Sequence, residues 1–192
     1  MIISLNPGGK KDSFEEDRKR FEKKCFEIKD ENFYLENKNR PFAKAIIKLF
    51  ENHEGLLKKS VAIPILFFRS KSMEQWKNDF FGSAPEERCK IEFFCYEKTI
   101  EIIKMVKPKA LLIIGFNTYE ALISNELLLP LTIEKIKFSM YGKSKQRIWI
   151  RMKQDNIPIL CIRHLTGSHI KKEDKQETKK EFNDFCKKYS IN

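Results

Sequence analysis

Four short runs of nearly unbroken apolar residues limit what this chain can fold into. Residues 1–5, 61–68, 110–114 and 157–162 are short for helices, and they lack the alternation of a strand with one wet face. They read as strands covered on both sides, the pattern of a parallel sheet. Each run gives way to polar residues: Asn6, Arg69, Asn117 just beyond Gly115, and His164. In open α/β sheets, ligands collect at the carboxyl ends of the strands. The tightest of these ends is Asn6-Pro7-Gly8-Gly9, where Pro fixes φ and Gly permits close backbone approach. A plain turn and a ligand-presenting turn both fit that chemistry.

Between the runs, apolar residues change to helical spacing. Phe14, Phe21, Cys25 and Ile28 share one face behind a Ser13–Glu16 capping box. Phe42, Ile46, Leu49 and Phe50 form a second stripe, and Cys95, Thr99, Ile102, Ile103 and Val106 a third. Lys107-Pro108 halts that third helix, because the residue before Pro avoids the α region. Tyr119, Leu122 and Ile123 follow with Asn117 as the expected cap. A charged helix over 171–189 turns Phe182, Phe185 and Cys186 inward. Strands alternating with helices imply right-handed crossovers. The expected fold class is therefore α/β: a three-layer αβα sandwich on a central, mainly parallel four-stranded sheet, in one domain spanning residues 1–192. One stretch breaks the rhythm. From 135 to 153 apolar and polar residues alternate around a Gly142-Lys143-Ser144 turn, which predicts an added antiparallel hairpin with one apolar and one basic face.

Composition narrows the setting. The 192 residues are 41% hydrophobic and 34% charged, with a formal charge of +11. No apolar run approaches the roughly 18 residues of a membrane span, and no secretory leader is evident, so no membrane partner is expected. Cys25, Cys89, Cys95, Cys161 and Cys186 form no C-x-x-C pair. Reduced thiols in a cytoplasmic protein are the expectation. His53, His164 and His169 have no ligand spacing, so no metal is expected. The positive charge favours a polyanionic partner.

Taken in order, the motifs resemble those of the uracil-DNA glycosylase superfamily. Leu5-Asn6-Pro7-Gly8 looks like the first active-site motif of its mismatch-specific and single-strand-selective branches. Arg40-Pro41-Phe42 resembles the segment whose Phe stacks on an extruded base. Phe68-Arg69-Ser70, Cys95-Tyr96 and the stretch from Lys107 to Gly115 resemble the centre of the iron–sulfur branch. His164-Leu165-Thr166-Gly167-Ser168 stands where the family carries His-Pro-Ser. Three departures accompany the likeness. The close cysteine pair of the iron–sulfur branch is missing, so no cluster is expected; Pro64 falls near the family's base-reading Asn; and no Pro follows His164.

The resemblance implies a monomeric DNA-binding enzyme, needing no cofactor, that cleaves the N-glycosidic bond of a flipped deaminated base. Asn6 and His164 are the implied catalytic pair, with Asn6 holding the water and His164 stabilising the departing base. Leu5, Pro7, Gly8, Phe42, Arg69 and Thr166 would line the substrate pocket. Lys10, Lys11, Ser70, Ser168, His169 and Ile170 would contact DNA, with Ile170 as a wedge. No Lys is placed for a Schiff base, so strand cleavage is not expected. Plainer roles stand beside these: a structural His164, a core Phe42, an ion-paired Arg69. The seven cations of the hairpin are either a phosphate track or a solvated face. Two other functions stay open, an inactive nucleic-acid-binding module and a nucleotide-binding protein.

Overall fold

The fold is given by a computed structural model. It describes residues 1–5, 12–13, 15–16, 19, 32–69, 74–80, 84–128, 130–166 and 170–191. Most of the helix expected over 13–28 lies outside these residues. The chain divides into two compact units, one of Met1–Ile3, Glu31–Ala62 and Pro108–Asn192, the other of Ser4–Asp30 and Ile63–Lys107.

The strands are β1 (Ile2–Ser4), β2 (Ala62–Pro64), β3 (Leu111–Ile114), β4 (Thr132–Tyr141), β5 (Ser144–Gln154) and β6 (Ile157–Ile162). The α-helices are α1 (Phe33–Glu36), α2 (Pro41–Leu49), α3 (Glu54–Lys58), α4 (Pro85–Val106), α5 (Phe116–Ser124) and α6 (Lys172–Lys188), and Gln75–Phe80 is a π-helix. The strands form one mixed sheet in the order β2-β1-β3-β6-β5-β4. β3 and β6 run parallel, from Leu111 opposite Ile159 to Ile114 opposite Ile162. β5 is antiparallel to both β6 and β4.

The hairpin expected as an addition is thus part of the sheet. Only Asp155 and Asn156 separate β5 from β6, and so short a link permits antiparallel neighbours alone. Asp155 takes φ 50° to make that turn, and Gly142 takes φ 60° between β4 and β5. The strand expected over 61–68 is shorter than its apolar run and ends at Pro64. Pro lacks the N–H of a ladder residue, and edge strands tolerate it where that position points outward. Ile65 N donates to Ser4 O at 2.7 Å, so the alternating Pro64 position faces away from β1. Asn117, expected as a cap, instead sits inside the first turn of α5, behind Gly115 as the N-cap.

In the first unit, Leu112, Ile114, Leu160 and Ile162 pack with Ala43 and Ile46 of α2 and Phe182, Phe185 and Cys186 of α6. The alternating Leu111, Ile113, Ile159 and Cys161 are just as buried, so β3 and β6 are dry on both faces. In the second unit, Leu66, Trp76 and Cys95 form a small core, with Phe67, Phe68, Ile91 and Tyr96 against it. Trp76 is fully buried and satisfies its indole N–H on Glu92 at 2.8 Å.

The two faces of the hairpin reverse the usual arrangement. Its basic face turns toward α6, where Arg151 meets Glu181 at 2.8 Å and Lys137 reaches Glu177 at 4.0 Å. Glu134, one residue ahead of the basic strip, gathers Lys153, Lys188, Arg151 and the Tyr189 hydroxyl. Burial works against its charge, yet the bonds from Lys188, Tyr189 and Lys153 prevail and hold its carboxyl down at about 2. On the other face Ile148, Ile150 and Met152 of β5 are buried, while Ile133, Ile136, Phe138 and Met140 of β4 stand exposed.

A depressed carboxyl stabilises the fold above its unfolded value and loses that contribution as pH falls. Glu134→Gln should therefore cost on the order of 1 kcal/mol at pH 7. The deficit relative to wild type should shrink as pH drops from about 4.5 towards 2. Urea unfolding of both proteins across that range measures it.

Candidate functional site

Of the residues the sequence singled out, Leu5, Phe42, Arg69, His164, Thr166 and Ile170 are described. Asn6, Pro7, Gly8, Lys10, Lys11, Ser70, Ser168 and His169 lie outside the described residues. Phe42, His164 and Thr166 come together within the first unit. Leu5 and Arg69 belong to the second unit, where Arg69 forms an ion pair with Glu16 at 3.3 Å. Ile170 is half-buried just ahead of α6.

The site begins with the register of β3 and β6. Gly115 N continues their ladder by donating to Ile162 O at 2.8 Å. Gly115 then turns with φ +94°, a conformation that side chains resist. A Cβ built there would lie 3.7 Å from the Cβ and Cδ2 of His164, so the backbone of one strand end passes close to the imidazole of the other. Thr118, in the first turn of α5, ties back to Ile114 O at 2.7 Å. The carboxyl end of the central strand pair is thereby held from both sides.

α2 supplies the other wall. Arg40 is extended ahead of the helix and Pro41 opens it, a start that suits the fixed φ of proline. Phe42 follows, half-buried. Its ring lies parallel to His164, with centroids 5.0 Å apart and planes 9° apart, and meets Tyr34 at 5.8 Å in a T arrangement. The Phe42 face turned to His164 is therefore occupied. A ring inserted between them would need planes about 7 Å apart, twice a van der Waals contact.

The imidazole is also held at its edge. Nδ1 of His164 lies 2.7 Å from Thr166 O, and the Thr166 N–H also points at it from 3.3 Å, so the two contacts ask for opposite tautomers and the much shorter one decides. An unprotonated Nδ1 would set its lone pair against the carbonyl lone pairs at the shorter distance, so Nδ1 carries the proton and donates to Thr166 O. In the neutral ring Nε2 is then an acceptor; it becomes a donor only in the imidazolium. Nothing in the linear sequence marked the Thr166 carbonyl as the group that sets this tautomer.

Part of the hairpin's basic strip is paired within the protein. Lys137, Arg147, Arg151 and Lys153 all meet carboxylates, and Lys135 sits 5.5 Å from the Trp149 ring centre. Glu134 was missed as the counter-charge of Arg151 and Lys153 because it precedes the strip. Among the described residues no group of three His, Cys, Asp or Glu is placed to hold a metal. Cys95, Cys161 and Cys186 are buried free thiols, and burial pushes Cys186 up to about 11. Among the described residues no helix is long and apolar enough to cross a membrane. No protein-family model matches the chain, and no curated protein matches it.

Gly115→Ala should lower stability by about 1–3 kcal/mol, because the residue must hold a positive φ. Denaturant titration measures this. In ¹⁵N spectra of the neutral wild-type ring, the proton should be found on Nδ1 of His164.

Proposed function

We propose that the first unit carries the base site of a DNA glycosylase-like protein, which hydrolyses the N-glycosidic bond of a flipped deaminated base such as uracil, hypoxanthine or xanthine. The observation that carries this reading is His164, placed past a buried strand, stacked on Phe42 and fixed through Nδ1 so that Nε2 is left for a ligand. The ordered motif series lends it support. So does the ladder around Met1, whose nitrogen donates to Ala110 O and whose carbonyl accepts from Leu112 N. That pattern suits a four-stranded parallel core, β2-β1-β3-β6, in a three-layer sandwich of the uracil-DNA glycosylase type. A monomeric, cytoplasmic protein acting on DNA is the setting the reading implies.

The extruded base would exchange places with His164. Phe42 offers the only ring face in the described site broad enough to stack a base, and His164 covers it. His164 would swing to the edge of the incoming base while the base takes the phenyl face, a contact worth about 1–3 kcal/mol. The charged imidazole then donates from Nε2 to a carbonyl of the departing base. It stabilises the anion that develops in the transition state more than the neutral ground state. Asn6 would orient the attacking water; an amide is too weak a base to do more. The closed stack and Pro64, which has no side-chain donor or acceptor, favour a second reading, a nucleic-acid-binding module of this fold without excision.

The test is abasic-site formation in single- and double-stranded oligonucleotides carrying each deaminated base. Wild-type protein should release the base from at least one. His164→Ala and Asn6→Ala should each slow release roughly 10²- to 10³-fold, and Phe42→Ala should act mainly on KM. Binding of all the oligonucleotides with no abasic product from any would sink excision in favour of the module.

A further inference from the structure

On the first unit, Phe116, Phe138, Lys145, Gln146, Arg147 and Arg163 line an open pocket of about 400 Å³. Two of its cations, Lys145 and Arg147, come from the hairpin, and Arg163 follows the end of β6. Lys137, Arg151 and Lys153 are matched by carboxylates. Here each cation lies over an aromatic ring: Lys145 at 4.5 Å from the centre of Phe138, Arg147 at 4.8 Å from Phe116, Arg163 at 4.7 Å from Tyr141. A ring orients a cation without neutralising it. The one carboxylate bonded to this group is Glu120, which pairs with Arg147 at 2.6 Å. Three positive groups against one negative leave a local charge of +2.

Two further features point to an anion. Nη1 of Arg163 is buried and has no hydrogen-bond partner among the described residues. No carboxylate among the described residues matches the guanidinium at that nitrogen, so Arg163 brings its positive charge to the pocket it lines. Phe116 is the first residue of the nine-residue α5, so the positive end of a helix dipole lies at the pocket wall. Among the described residues no carboxylate side chain lines the pocket.

We propose that this pocket binds a phosphate group, with Arg163 as its central donor and Lys145 and Arg147 flanking it. Guanidinium forks match phosphate oxygens, and a phosphate of one or two negative charges fits the local excess. The group belongs either to a nucleic-acid strand or to a free phosphate or nucleotide. The inference does not depend on base excision, because it rests on this pocket alone.

Binding is measured with inorganic phosphate, a nucleoside monophosphate and an undamaged single-stranded oligonucleotide, none of which reports excision. Arg163→Gln and Lys145→Gln should each weaken phosphate binding about tenfold. Arg163→Lys should keep part of it, and Lys137→Gln, on the carboxylate-paired face, should leave it unchanged. If the oligonucleotide binds far more tightly than the small ligands and all three weaken together, the phosphate is that of a strand. If only the small ligands respond, the site takes a free phosphate or nucleotide. Should all three ligands bind the folded Arg163→Gln and Lys145→Gln proteins as they bind wild type, or none bind wild type, the proposal fails.

Discussion

The parallel pairing of β3 with β6 is the constraint on which the rest of the first unit depends. It aligns Ile114 with Ile162, and both chains leave the sheet at the same level. Gly115 and His164 therefore emerge side by side, and the glycine is required there by its φ of +94°. Burial on both faces holds this register firmly, since a slip of one residue would reverse every side chain. The histidine owes its position to packing several residues away, in layers contributed by α2 and α6.

Charge follows the same logic of placement. On the α6 side of the hairpin, Arg151 bridges Glu134 and Glu181, whose side chains are only 18% and 5% exposed. The Glu181 carboxyl is pushed up by burial despite the opposing Arg151. Glu134 goes the other way because it collects several donors at once. Near the opposite end of the same hairpin, Lys145 lies over Phe138, and Arg147 over Phe116 with one carboxylate, Glu120. One basic strip thus splits into a structural half and a half available to anions.

Much of the architecture was legible locally. The runs at 110–114 and 157–162 became β3 and β6, the alternation around Gly142 became β4 and β5, and the charged helix over 171–189 became α6. These follow from period, turn chemistry and burial within a few residues of each position. The partner of each hairpin face was not legible: alternation separates two faces but does not say that Glu177 and Glu181 will recruit the basic one. The end of β2 at Pro64 was hidden inside an apolar run. Phe42 and His164 were both readable as candidates, but their mutual stacking depends on contacts between segments more than a hundred residues apart. Asn6, the other half of the expected pair, lies outside the described residues.

One margin of the sheet has a consequence of its own. β4 is the last strand, ten residues long, with Ile133, Ile136, Phe138 and Met140 in water. A regular ribbon of that kind would invite a second chain to add itself alongside. Two register shifts, between Ile133 and Lys135 and between Lys137 and Phe138, interrupt the ribbon. They deny a newcomer a straight template, and the nearby lysines repel any copy that carries the same charge. The first irregularity adds Glu134 to β4 and the second adds Ile148 to β5, so both strands of the hairpin share in bending this margin.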